Sequence, residues 1–228
     1  MRRGLLAGLF ASLAALLQAT AAAQHGARPD INQPFLVNPD VARWKSAFES
    51  PDREVYAKRS EILAATGAKP GMAVADIGAG TGLFTMMFAK AVKPGGRVYA
   101  VDISPAFIEH IRQTAKAQEL DNVTAIVNDG AEVRLPEASV DLVFMSDVYH
   151  HFERPGQTLL SIRKALREGG RMVVIDYERI AGVTSPQRLQ HVRADKQTAI
   201  REIEAAGFRL VEEKKLMLEN YFAVFQNP

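Results

Sequence analysis

Apolar positions along this chain follow two rhythms. Short apolar runs at 74–77, 97–101, 123–127, 140–145, 172–175, 208–215 and 221–226 have the length and composition of buried or half-buried strands. Between them the apolar residues space out to helical intervals. Leu83, Phe84, Met87, Phe88 and Ala91 form one stripe, 105–118 predicts a second helix, and Leu159, Leu160, Ile162, Ala165 and Leu166 mark a third over 155–167, stopped by Gly169 and Gly170. A fourth helix is expected from His191 to Ala206, after a Gly-, Ser- and Pro-containing loop at 180–190. Strand and helix therefore alternate through most of the chain, the pattern of an α/β fold. The last two strands break it, because the short link 216–220 suits an antiparallel hairpin.

Ahead of the first strand the pattern is different. Residues 24–39, with Pro29, Pro34 and Pro39, read as an extended arm. Two helices are expected next, at 41–48 and 52–66, the second capped by Ser50 with Pro51 at its first position. In that second helix Val55, Ile62 and Leu63 point to the core, and Arg53, Tyr56 and Arg59 share a neighbouring face, either solvated or turned to a ligand. At the very start, Arg2 and Arg3 precede an apolar stretch from Leu5 to Leu17, and Ala21, Ala22 and Ala23 follow. That is the layout of a secretory signal peptide over 1–23. The apolar stretch is shorter than the roughly 20 residues of a spanning helix, so a stable membrane anchor after cleavage is not expected and the location expected is periplasmic or secreted.

Composition narrows the chemistry. The chain has 228 residues, 47% of them apolar, enough for one domain with a sizeable core. Its 28 basic residues exceed its 26 acidic ones only through Arg2 and Arg3, so the chain from Gln24 onward is formally neutral. A nucleic-acid partner would favour a basic excess, and a small molecule is expected instead. There is no cysteine, hence no disulfide and no thiolate ligand.

The densest chemical signal is the stretch Val-Ala-Asp-Ile-Gly-Ala-Gly-Thr-Gly at 74–82, where a strand ends in three glycines and a helix follows. Glycine lacks a Cβ, so the turn can adopt left-handed angles and admit a ligand close to its backbone. A dinucleotide fingerprint, G-x-G-x-x-G, would need glycine at 83, where Leu83 stands. Asp76, two residues before the first glycine, would repel a pyrophosphate and suits a cationic group. Twenty residues after Gly82, Asp102 ends the next strand, where a carboxylate can accept from both hydroxyls of a ribose or cap the following helix.

With Asp76, Gly78, Gly80 and Gly82 in the order D-x-G-x-G-x-G, and later motifs in sequence to about residue 226, the chain resembles the class I S-adenosylmethionine (SAM)-dependent methyltransferases. The resemblance implies a Rossmann-like, seven-stranded, mostly parallel sheet with a C-terminal antiparallel hairpin and helices on both faces, occupying 51–228 behind an N-terminal arm at 24–50. It implies SAM as cofactor, held by Tyr56, Asp76, Gly78, Ala79, Gly80, Thr81, Gly82, Asp102, Ile103, Asp129, Gly130, Ala131 and Asp147. Asp129 would meet the adenine amino group, and the arm would lid the cofactor with Tyr56 at its amino acid end. The stretch Ser146 to Phe152 is similar to the ubiquinone and menaquinone C-methylating branch, which often carries leucine-histidine-histidine where this chain has Tyr149, His150 and His151.

These three residues are the catalytic candidates. A histidine here can act as general base or simply support the loop. No metal is expected, because adjacent histidines tend to point apart and His191 is the one further ligand in sequence reach. Two other functions stay open: a nicotinamide oxidoreductase, opposed by Leu83 and Asp76, and a non-catalytic nucleoside-binding protein of the same fold. Export gives the latter weight, since SAM is made in the cytosol. The acceptor, the methylated atom and the oligomeric state are not legible in these residues.

Overall fold

The computed structural model describes residues 26–228 apart from Val183. The expected signal peptide lies outside the described residues. The described chain runs α1 (Gln33–Leu36), α2 (Val41–Phe48), α3 (Glu54–Ala57), α4 (Arg59–Thr66), β1 (Ala73–Ile77), α5 (Leu83–Ala91), β2 (Arg97–Asp102), α6 (Pro105–Ala117), β3 (Val123–Val127), β4 (Val140–Ser146), a 3₁₀ turn (Tyr149–His151), α7 (Pro155–Ala165), β5 (Leu166–Tyr177), α8 (Pro186–His191), α9 (Lys196–Ala205), β6 (Arg209–Lys214) and β7 (Asn220–Gln226).

The seven strands form one sheet in the order β3-β2-β1-β4-β5-β7-β6. The five strands from β3 to β5 pair in parallel, and β7 runs antiparallel to both β5 and β6. Each central strand divides its side chains between two cores, as a period of two requires. From β1, Ala73, Ala75 and Ile77 face one core with Leu159, Ile162 and Ile203, while Val74 faces the other with Phe88, Ile108 and Ile111. Val143 and Met145 of β4 join the first core, and Leu142 and Phe144 the second. This two-sided burial explains why the strands read as unbroken apolar runs. The connection reverses between β1 and β4, and in such a sheet the crevice at the carboxyl ends of the strands on either side of the reversal is the natural ligand site.

Several local expectations are corrected. Residues 27–36 are not a free arm: Ala27 and Ile31 are buried, the Ala27 N–H donates to the Phe152 carbonyl at 2.8 Å, and α1 forms one turn. The helix expected at 52–66 breaks at Lys58 into α3 and α4. Arg53, not Ser50, holds the N-cap position of α3, and no side chain caps it. The helix expected from His191 is two helices. α8 ends at His191, and α9 starts anew from Asp195, whose carboxylate accepts from the Thr198 N–H at 2.7 Å. α7 stops at Ala165 and passes directly into β5, before the two glycines are reached. Among the described residues no helix is long and apolar enough to cross a membrane.

Candidate SAM site

A cavity of about 370 Å³ opens at the carboxyl ends of β1, β2 and β4. Its floor is the turn between β1 and α5. Gly78, Gly80 and Gly82 all take positive φ, at 69°, 55° and 87°. Gly78 and Gly80 line the cavity with Ala79 and Thr81, and the N–H groups of Gly78 and Ala79 both donate to the Val101 carbonyl. A Cβ on Gly78 would lie 2.1 Å from Val148 Cγ2, so the close packing of this turn against the β4 loop depends on glycine. Gly82 does not reach the cavity. It is the N-cap of α5, where a Cβ would meet Ile111 Cγ1 at 2.8 Å, so its role is helix-to-sheet packing.

Asp76 and Asp102 stand on the cavity wall and are 3% and 7% exposed. Thr85 Oγ1 donates to Asp76 Oδ2 at 2.6 Å. The N–H of Gly80 donates to Asp102 Oδ2 and that of Ser104 to Asp102 Oδ1, each at 2.8 Å. Burial pushes the Asp76 carboxyl up to about 7 and the Asp102 carboxyl up to about 6, against the pull of those hydrogen bonds. Among the described residues neither has a salt-bridge partner. Two buried carboxylates that face one cavity and lack an ion-pair partner among the described residues are an electrostatic demand that a positively charged, hydroxyl-bearing ligand answers.

The remaining expected contacts divide. Ile103, Gly130 and Ala131 line the cavity, as does Asp129. The Asp129 carboxylate, however, accepts from the N–H groups of Glu132 and Ala131 and pairs with Arg134, which hold it down at about 2. It builds the turn as well as facing the site. Asp147 lies on the wall in a left-handed conformation, φ 53°. Arg53 forms an ion pair with it, and Asn220 Nδ2 donates to it at 2.6 Å. Burial raises the Asp147 carboxyl, and the Arg53 guanidinium opposes that rise. Tyr56 is not brought to the cavity: the Arg59 guanidinium stacks on its ring at 4.2 Å, and the neighbouring Arg53 takes the wall position.

The arm does cover the cavity. Phe35 and Phe48 line it with Phe107 and His151, and the rings of Phe35 and His151 meet edge to face at 5.4 Å. Phe48 Cε2 would lie 3.3 Å from a Cβ on Gly80, so the lid rests on the glycine turn itself. Asn32 reaches the same place, with Nδ2 donating to the His151 carbonyl and to Glu153.

Of the catalytic candidates, only His151 is on the cavity wall. Tyr149 is 1% exposed and points into the core. Its hydroxyl donates to Glu202 Oε2 at 2.6 Å, and Arg193 lies over its ring, so it ties the loop to α9. His150 sits behind His151 with Nδ1 2.7 Å from Asp176 Oδ1. Burial would lower its basicity, but the carboxylates of Asp176 and Asp147 raise it above the usual histidine value. His151 is pushed the other way, to about 3, by burial and by the neighbouring His150 and His191. The expectation that adjacent histidines diverge is corrected here. Within the 3₁₀ turn their ring centroids are 4.3 Å apart, and His191 closes in at 5.0 and 5.1 Å. Sequence reading missed Asn32, Phe35 and Phe48 on the wall, and of the face it left open between solvent and ligand it is Arg53 that reaches the wall. It also missed Asp176 behind it, whose one signal was its place at the end of an apolar strand.

A methyltransferase domain model matches residues 68–220, and the chain belongs to that family, the class I SAM-dependent methyltransferases, whose cofactor is SAM. A demethylmenaquinone methyltransferase from Symbiobacterium thermophilum is 30% identical over 117 residues, 51% of this chain and 47% of that protein. The ubiquinone/menaquinone biosynthesis C-methyltransferase UbiE of Burkholderia cenocepacia is 27% identical over 121 residues, 52% of this chain and 48% of that protein. The chain spans about half the length of these curated relatives. The crystal structure of a SAM-dependent methyltransferase from Aquifex aeolicus superposes with a TM-score of 0.74 at 21% identity, covering 83% of this chain and 99% of that one, and shares its fold. The glycine turn and the two buried carboxylates, which have no salt-bridge partner among the described residues, fit the cofactor: Asp76 would meet its cationic amino acid portion and Asp102 its ribose.

Proposed function

We propose that this chain is an exported SAM-dependent methyltransferase that methylates a small-molecule acceptor. The observation that carries this reading is the convergence of the Gly78–Gly80 turn, Asp76 and Asp102 on one lidded cavity. When bound, the cofactor supplies a methyl group already activated by a positively charged sulfur. The chain's own task is then orientation, which can contribute about 7–11 kcal/mol when reacting groups are held near attack distance. Phe35, Phe48 and Phe107 exclude water and present an aromatic wall suited to a flat acceptor. Methylation of a quinone-type ring, named for the relatives from S. thermophilum and B. cenocepacia, is the chemistry such a wall favours.

His151 is the protein base nearest the acceptor side, neutral at physiological pH and able to take a proton from the acceptor. Its depressed basicity favours acceptors that are already good nucleophiles. The even charge balance of the chain from Gln24 onward supports a small acceptor over a nucleic acid. The Arg2-Arg3 and apolar start supports export, with removal of residues 1–23. Two experiments test this. Crystals grown with S-adenosylhomocysteine should show it against Gly80 and Asp102; a cavity that excludes it overturns the reading. Expression of the full chain in a bacterium, followed by fractionation and mass spectrometry, should find the periplasmic form beginning at Gln24, and an intact cytosolic chain contradicts export.

A further inference from the structure

The three-histidine cluster is a built arrangement that methyl transfer alone does not require. His150 and His151 come from the 3₁₀ turn after β4, and His191 from the last position of α8, forty residues later. One possible ligand nitrogen from each lies within 4.8 Å of the other two. The orientation of two rings is fixed from behind. His150 Nδ1 lies 2.7 Å from the buried Asp176 carboxylate, and His151 Nδ1 lies 3.1 Å from Asn32 Oδ1. Each Nδ1 is therefore engaged, which leaves Nε2 as the ligand atom, the way carboxylates and amides orient metal-binding histidines. α8, which carries His191, is itself held: Arg188 stacks on Tyr177 at 4.4 Å and pairs with Glu219, and Arg179 donates to the Leu189 carbonyl.

We propose that His150, His151 and His191 bind one divalent transition-metal ion of the zinc class. Three imidazoles with an open fourth position are the donor set of catalytic zinc centres, and an all-nitrogen set suits zinc, cobalt, nickel or copper over magnesium or calcium. Metal–nitrogen distances of about 2.0–2.1 Å in a tetrahedron separate neighbouring nitrogens by about 3.4 Å. Contraction from the present spacing needs small side-chain rotations, which the exposed His191 at a helix end can make. Asp176, with Asp147 close by, supplies negative charge behind the ligands. Because His151 lines the cavity, an ion held on its Nε2 would border that cavity. On the methyltransferase reading, on which this last step rests, His151 would then serve as a ligand in place of a base, and the ion would hold an acceptor through an oxygen donor and favour its deprotonated form.

The test uses the protein purified without a histidine tag and stripped with a chelator. Addition of Co²⁺ should give visible d–d bands of a four- or five-coordinate nitrogen site saturating at one ion per chain, and Zn²⁺ should displace it. His191→Ala, at an exposed position, should fold normally and lose at least about tenfold in affinity, and Asp176→Asn should lose about 10–100-fold. No bound ion in the wild type, or equal binding by wild type and His191→Ala, overturns the proposal. A parallel titration of the same sample with S-adenosylhomocysteine reports on the cofactor site separately, so failure of one reading is distinguishable from failure of the other.

Discussion

The carboxylate of Asp102, at the end of β2, accepts a 2.8 Å hydrogen bond from the backbone N–H of Gly80, in the middle of the turn that follows β1. Two motifs twenty-two residues apart in the chain are thereby one structure. An acid on the cavity wall thereby fixes the glycine turn that floors the same cavity, so the groups proposed to hold the cofactor also hold the site in shape.

Asp102→Asn keeps an oxygen to accept from one N–H and removes the negative charge. Hydrogen bonds to charged groups contribute about 1.5–3 kcal/mol. Affinity for S-adenosylhomocysteine should therefore fall on the order of 10- to 100-fold, read as a loss of ligand-induced thermal stabilisation across a titration series.

The raised carboxyls of Asp76, at about 7, and Asp102, at about 6, give a pH signature with a definite sign. Unfolded aspartate loses its proton near 3.9, so between about pH 4 and pH 7 the folded chain holds more protons than the unfolded one. The contribution of these two groups to stability is thus fully present below about pH 4 and is lost as pH rises to about 7. Cofactor binding favours the ionised forms, so affinity should rise with pH through 6 to 7 with release of protons. Calorimetry at pH 6 in two buffers of different ionisation enthalpy checks the release, and Asp76→Asn should reduce it.

Gly78→Ala forces a side chain at φ 69° and a Cβ into Val148 Cγ2. Strain of this kind costs about 1–3 kcal/mol. Urea denaturation should show that loss, and a second change, Val148→Ala, should recover the share of the clash due to the Val148 methyls but neither the share due to its Cβ, 2.8 Å away, nor the part due to the backbone angle.

Much of this site was legible because its signals are local. The turn at 78–82, Asp76 one residue before the end of β1 and Asp102 at the end of β2 follow from glycine's freedom and the length of an α/β unit, and they fall where the sequence places them. The same holds for the C-terminal hairpin, whose short connection leaves β7 antiparallel. What the sequence hides is set by distant partners. Tyr149 is drawn into the core by Glu202, and His150 is turned by Asp176. His191 meets both histidines only because α8 ends where the expected helix was to begin. Lys58 splits the helix expected at 52–66 and moves Arg53, not Tyr56, to the wall.

Tyr149→Phe separates a structural hydroxyl from a chemical one. The Tyr149 hydroxyl donates to Glu202, which Arg193 also holds through both carboxylate oxygens. Loss of one bond to a charged acceptor should lower stability by about 1–3 kcal/mol, seen in thermal unfolding, while S-adenosylhomocysteine affinity stays within about twofold. A much larger fall in affinity with stability unchanged would place that hydroxyl at the ligand.

The claim beneath all of this is that two unpaired buried carboxylates and a left-handed glycine turn form a SAM site. Isothermal titration of the purified protein with SAM and with S-adenosylhomocysteine tests it most directly. The account predicts one site per chain for each, weakened when Asp76 is changed to Asn. No binding heat from either at several temperatures, or binding indifferent to Asp76, would contradict it.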